Sequence, residues 1–171
     1  LNNEITLLGD TGCYADFTFP AWGPMNPALH NCHFYVRDDS SPKSYDNPQN
    51  TTVMTVGQEP VGDLLLFMGP YAPAPSLQLT GHLCPENLDR WVETGVCVAG
   101  KPEWIFVKLH THGFQQSQVG VRSEEEEGTS TLWGAAADSF WTYAETKYND
   151  GVNYRLHYVN AQEAYNIAKA A

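Results

Sequence analysis

The chain has 171 residues, of which 42% are hydrophobic and 17% are charged, so it is long enough to bury one core and too apolar to be disordered. Its formal net charge of −11 repels phosphate backbones and anionic lipid headgroups, which argues against nucleic-acid and membrane-surface roles. No apolar run approaches the roughly 20 residues that span a bilayer, and residues 1–20 lack the order of a signal peptide, which favours a cytoplasmic location.

Five short apolar runs predict β-strands. They are residues 13–19, 33–37, 64–68, 104–109 and 154–159. The run at 104–109 is nearly continuous, which is typical of a strand covered on both faces, and the sequence turns polar directly after it. Many Pro, Asn, Asp and Ser residues lie between Trp22 and Pro75. They predict long loops at the functional rim or a small antiparallel insertion.

Three helical patterns alternate with the later strands. The first begins at Pro85, a favoured first helical residue, and stops at Gly95, a favoured residue just past a helix end. The second covers about residues 130–148, where apolar residues follow helical spacing. The third begins after Asn160, whose spacing from Glu163 predicts a capping box, and continues to the C-terminus.

This alternation predicts the fold class. Strands that alternate with helices are typical of an α/β fold with mainly parallel strands and covering helices, either open or closed as a barrel. No repeat or linker divides the chain, so we expect one domain over residues 1–171, with long loops in its N-terminal half.

Two predicted strands carry the candidate catalytic residues. Active sites of parallel α/β folds form at the C-terminal strand ends, where His110 and His112 follow the run at 104–109. Both imidazoles can point the same way, to bind a metal or to supply a general acid, or they can simply satisfy loop backbone. Asp16 lies inside the run at 13–19 and can be an acid, a base, a partner of an imidazole, or a capping side chain.

Aromatic residues and the remaining histidines give weaker signals. Phe19, Pro20 and Trp22 would suit the wall of a sugar site, because flat rings stack on pyranose faces, although each can also belong to the core. His157, in the last predicted strand, joins the other histidines only if it faces the same edge.

The four cysteines have no Cys-x-x-Cys spacing and are too sparse for a disulfide scaffold, although their even number leaves room for bridges. They are Cys13, Cys32, Cys84 and Cys97. We interpret them as free structural thiols, because a buried cysteine usually behaves as a small hydrophobic residue. His30 and His33 flank Cys32, but their spacing matches no zinc-binding pattern.

Three segments carry a family resemblance. The clearest of them reads Val107-Lys108-Leu109-His110-Thr111-His112-Gly113. The others are residues 13–20 and residues 157–161 with Tyr165-Asn166. Taken together, they resemble the polysaccharide deacetylase superfamily, the NodB-type carbohydrate esterases. The resemblance implies a deformed (β/α) barrel that uses a divalent metal such as zinc, an Asp base and a His acid to deacetylate a sugar.

The resemblance also implies roles for single residues. Leu109 would line the acetyl pocket, and His110 would protonate the leaving amine. Of the Arg-Pro-Pro motif of that family, only Pro20 is present. Residues 1–12 match neither its Asp-Asp motif nor its His-x-x-x-His metal motif, so the chain resembles the C-terminal part of a barrel. A longer polypeptide or a partner chain would complete that barrel.

The leading prediction is therefore a metal-dependent hydrolase that removes acetyl groups from the N-acetylated sugars of a polysaccharide. The alternative is a non-catalytic carbohydrate-binding or structural module, in which aromatic loops bind glycan. A third hypothesis is an independent metal site made by His110, His112 and His157.

Overall fold

The computed structural model describes a four-stranded sheet and four α-helices. The described residues are 3–19, 27–38, 45, 47–71, 83–109 and 135–171. None of the helices in these ranges is long and apolar enough to cross a membrane.

The sheet is mixed and lies in the N-terminal half of the chain. Its strands are β1 (Ala15–Asp16), β2 (Phe34–Val36), β3 (Thr51–Val53) and β4 (Leu64–Leu66). They are arranged in the order β1-β4-β2-β3, with β1 parallel to β4 and the other two pairs antiparallel. The two central strands, β2 and β4, are completely buried.

Two helices, one on each face, cover this sheet, and the other two pack on each other. They are α1 (Glu4–Asp10), α2 (Pro85–Thr94), α3 (Ala135–Lys147) and α4 (Ala161–Lys169). Ile5 of α1 packs with Leu64 and Leu66 on one face, while Ala164 and Ala168 of α4 pack with the intervening Leu65 on the other. This alternation follows from the two-residue period of a strand. A third cluster joins α2 to α3 around Trp91 and Phe140.

The predicted start and end of α2 and the predicted capping box at the start of α4 are confirmed. Pro85 is the first residue of α2, and Gly95 ends it in the left-handed conformation, with φ 65° and ψ 39°, which glycine adopts without steric cost. At the start of α4, the Glu163 N–H donates to Asn160 Oδ1 at 2.9 Å, and the Asn160 N–H donates to Glu163 Oε2 at 2.8 Å. Both helices therefore begin or end where purely local chemistry directs.

The predicted fold class, a mainly parallel sheet from a deformed (β/α) barrel, is wrong. Among the described strands a single pair, β1 and β4, is parallel, and the other pairs are antiparallel. Among the residues that the structure describes from 34 to 66, no α-helix lies between β2, β3 and β4. A parallel connection usually requires a crossover helix, whereas strands that pair antiparallel, as β2 does with β3 and with β4, need none. The alternative of an antiparallel insertion describes this region better.

The predicted strands at 104–109 and 154–159 are also wrong. Residues 104–109 do not form a strand. Their apolar side chains belong to two different cores, because Phe106 packs on the sheet and Leu109 packs on the α2–α3 cluster. The apolar run thus reflects a bridge between cores. Residues 154–159 do not form a strand either, and their Tyr158 is 58% exposed. The sequence patterns did not predict α1 or β3, and both elements are short.

Candidate functional site

The carboxyl ends of β1 and β4 and the beginning of β2 meet at one end of the sheet. The register pairs Asp16 with Leu66, and Leu66 in turn with Phe34. His33 precedes β2, so it lies beside Phe67, which follows β4, and the two rings stack with centroids 3.9 Å apart. Topology therefore brings residues from three strands to one place.

Asp16 is fixed in a turn at the end of β1. Its Oδ1 accepts hydrogen bonds from the Thr18 N–H at 2.7 Å and from the Thr18 hydroxyl at 2.6 Å, both strengthened by the carboxylate charge. Ala15 and Phe17 pack on the α4 face of the sheet, so alternation directs Asp16 to the α1 face. The carboxylate is half-buried and held in one orientation.

Two aromatic rings lie on the same face as Asp16. Phe19 packs edge-on against Tyr45, with ring centroids 4.7 Å apart, and both rings border the cluster around Leu64 and Leu66. Burial raises the pKa of Tyr45, and the negative charges of Glu4 and Asp16 raise it further. Asp16 therefore lies within electrostatic reach of the Tyr45 phenol.

Lys108 connects this strand end to the segment 104–109. Its Nζ donates to the carbonyl oxygens of Phe17 at 3.0 Å and of Phe19 at 2.6 Å. Burial lowers the pKa of Lys108 to about 8, and the opposite charge of Asp16 acts in the other direction. The ammonium group thus replaces its water shell with two carbonyl oxygens that flank the turn of Asp16.

Gly69 allows the segment to approach this closely. An added Cβ at Gly69 would overlap the carbonyl oxygen of Lys108, which is backbone and cannot rotate away. Position 69 follows β4 and lies at the same end of the sheet. The absence of a side chain there is therefore a packing requirement of the site.

His33 is fully buried and uncharged. Its Nδ1 accepts a hydrogen bond from the Met68 N–H at 3.3 Å, so the proton of the neutral ring resides on Nε2. Nε2 has no hydrogen-bond partner among the described residues. Burial lowers the pKa of His33 to about 3, and the positive charge of Lys108 contributes. His33 lies on the α4 face and Asp16 on the α1 face, so the two do not form a hydrogen-bonded pair.

No protein-family model, no curated protein and no solved structure gives a match. The deacetylase resemblance therefore stays a prediction.

The structure brings some of the predicted site residues together. Asp16 and Phe19 lie at the same strand end, and Leu109 follows Lys108, although its side chain packs into the α2–α3 cluster. Of the other histidines, His157 is exposed, and the His30 ring is tilted against the ring of Tyr71, with centroids 5.0 Å apart. Four further candidates lie outside the described residues: His110, His112, Pro20 and Trp22.

Lys108 and His33 were not predicted as site residues, although Lys108 lies in the resemblance segment and His33 was considered beside Cys32 and set aside. A lysine inside the apolar run 104–109 was the available signal, since a charged residue is buried only with partners. For His33 the only signal was its position before a buried strand. Both residues owe their environment to contacts with residues distant in sequence.

The described residues do not fit the predicted divalent metal. Within the ranges that the structure describes, no group of three His, Cys, Asp or Glu side chains could hold an ion. Asp16 is already oriented by Thr18, and it lies near the ammonium group of Lys108, whose charge repels a second cation. Any metal ligands would have to include residues beyond these ranges, and the metal stays a prediction.

Proposed function

We propose that the protein hydrolyses the acetamido group of N-acetylated sugars in a polysaccharide, with Asp16 as the base and His110 as the acid. The observation that carries this proposal is the pair of hydrogen bonds from Lys108 to Phe17 and Phe19. They tie the segment that precedes His110 in the chain to the strand end that holds Asp16.

Each residue has a defined part in this proposal. Asp16 takes a proton from the water that attacks the amide carbonyl, and His110 gives a proton to the departing amine, so that acetate and a free amino sugar result. Lys108 positions both segments. Phe19 and Tyr45, the rings on the Asp16 face, would offer an apolar surface to the sugar. No step is assigned to a metal ion.

Release of acetate from N-acetylglucosamine oligomers tests the proposal. The wild-type chain, supplied with zinc, should release acetate, and Asp16→Asn and His110→Ala should each slow release by about 100-fold or more. Asp10→Asn and His157→Ala, at exposed positions, are matched controls that should retain the wild-type rate. Equal rates in Asp16→Asn and Asp10→Asn would contradict the role of Asp16, and the absence of any acetate release would contradict the hydrolase.

An exposed pair of aromatic rings favours a second candidate, non-catalytic glycan binding. Trp141 and Tyr158 are 37% and 58% exposed, and their ring centroids are 5.8 Å apart. Solvent-facing aromatic rings are the groups on which sugar rings stack. This candidate predicts that Trp141→Ala weakens binding of the oligomers in calorimetry, whereas Asp16→Asn leaves binding unchanged.

A further inference from the structure

Two cysteines that are far apart in the sequence lie opposite each other in the fold. Cys32, just before β2, and Cys97, after α2, form an isolated parallel β-bridge. The neighbouring Thr55 and Ala99 form a second such bridge, so the segment after α2 runs along the sheet at this point. Two separate backbone bridges thus hold this segment against the sheet.

The bridge gives the pair a geometry that permits a covalent link. Neighbouring strands are about 4.7–4.9 Å apart, and disulfides join Cα atoms about 4.4–6.8 Å apart. Bridge partners also project their side chains to the same side of the sheet. Burial raises the pKa of the Cys32 thiol, and the charge of a Cys97 thiolate raises it further, so the two thiols lie within electrostatic range of each other.

The other two cysteines are placed differently. Cys13 is exposed, and its sulfur lies 3.8 Å from the hydroxyl of Thr11. Cys84 is the N-cap residue of α2. Neither forms a backbone β-bridge with another cysteine in the part of the chain that the structure describes. They therefore serve as internal controls for selectivity.

We propose that Cys32 and Cys97 form an intramolecular disulfide when the chain meets a low-molecular-weight disulfide such as oxidised glutathione. The thiolate of one cysteine attacks a sulfur of the reagent, forms a mixed disulfide and releases one small thiol. The thiolate of the second cysteine then attacks the protein sulfur of that mixed disulfide and releases the other small thiol. The two cysteines are oxidised, the reagent is reduced to two thiols, and these take up the two protons.

The link would fix the segment that leads into the candidate site. Val96, next to Cys97, accepts a hydrogen bond from the Phe106 N–H at 2.8 Å, and Lys108 follows two residues later. A bond at Cys97 thus fastens the base of this segment to the sheet. Because the link closes a long loop of the chain, it also restricts the unfolded state.

Disulfide mapping tests the proposal. The full chain is equilibrated in a glutathione redox buffer, its remaining thiols are blocked with N-ethylmaleimide after denaturation, and the peptides are analysed by mass spectrometry. We expect two of the four thiols to become inaccessible to the reagent and the peptides of Cys32 and Cys97 to be joined. Dithiothreitol should reverse the link and lower the urea midpoint of unfolding.

Variants separate this pair from other pairings. Cys32→Ser and Cys97→Ser should each abolish the link and its effect on the urea midpoint, whereas the double variant Cys13→Ser/Cys84→Ser should keep both. Equilibration in urea followed by refolding in the same buffer removes any barrier due to burial. Full alkylation of Cys32 and Cys97 after that treatment, or a mixture in which Cys13 and Cys84 are linked equally often, would overturn the proposal.

Discussion

Lys108 is the side chain on which the candidate site depends most. Its two hydrogen bonds connect residues that are 91 and 89 positions apart in the sequence, and its side chain is half-buried. Such a group stabilises the fold only while its partners remain in place, because a buried charge without partners is costly. The same property makes it a good probe of the site.

Replacing Lys108 with methionine keeps a long unbranched side chain, one heavy atom shorter, and leaves two carbonyl oxygens without their donor. We expect Lys108→Met to lower the free energy of unfolding by about 1–3 kcal/mol, measured by urea denaturation. Lys101→Met is the matched control, because Lys101 is also half-buried but forms an ion pair at 3.3 Å with the exposed Glu103, which contributes less than about 1 kcal/mol. Equal losses in the two variants would show that the Lys108 contacts add nothing.

The pKa of Lys108 also predicts how stability changes with pH. Folding lowers this pKa from 10.5 to about 8, so the unfolded chain binds more protons than the folded chain between these values. The contribution of Lys108 to the free energy of unfolding therefore rises with pH across that window. The difference between wild type and Lys108→Met, followed from neutral pH upwards, should grow in favour of the wild type. A constant difference would contradict the lowered pKa.

The lowered pKa of His33 predicts how stability changes at acidic pH. Its pKa falls from 6.5 in the unfolded chain to about 3 in the folded chain, so the unfolded chain binds the extra proton between these values. Stability from His33 is present above the unfolded pKa and is lost as the pH falls through this window. In urea denaturation, His33→Phe should lose less stability on acidification than the wild type. His157→Phe, at an exposed site, controls for the loss of an imidazole.

At the scale of elements, local and long-range causes can be separated. Both ends of α2 and the start of α4 were predictable, because caps depend on residues within one turn, such as Pro85, Gly95 and Asn160. The absence of a strand at residues 104–109 was not predictable, because Phe106 and Leu109 pack on different clusters. Asp16 was identified as a candidate from its place in a strand. Lys108 and His33 were missed because their partners come from distant parts of the chain.

The capping box of α4 offers a test at this scale. Asn160→Ala removes the acceptor for the Glu163 N–H and should lower the free energy of unfolding by about 1 kcal/mol, measured by urea denaturation. Gln162→Ala, an exposed change in the same helix, should stay within about 0.5 kcal/mol of wild type. A loss of equal size in both variants would mean that the box does not stabilise α4.

At the scale of the whole molecule, residues 104–109 connect the sheet core to the helix core. Phe106 packs in the cluster that contains Leu65, and Leu109 packs against the cluster that contains Trp91. Two cores that share one short segment should lose their structure together. The segment therefore bears on the cooperativity of unfolding as well as on the candidate site.

Native-state hydrogen exchange measures this coupling. The backbone amides of Leu65 in β4 and of Trp91 in α2 should exchange with the same free energy of opening in the wild type. Phe106→Ala removes packing from the sheet core only, yet it should lower both values together. A fall at Leu65 with no change at Trp91 would show that the two cores open independently.

Gly69 has a consequence for how this sequence can diverge. Because a Cβ there would occupy the place of the Lys108 carbonyl oxygen, almost any substitution at position 69 must move the segment 104–109 away from the sheet. A substitution at position 69 is therefore expected to be tolerated only together with a change in the backbone path near residue 108. Evolutionary covariation between these two neighbourhoods is the trace that such a constraint would leave.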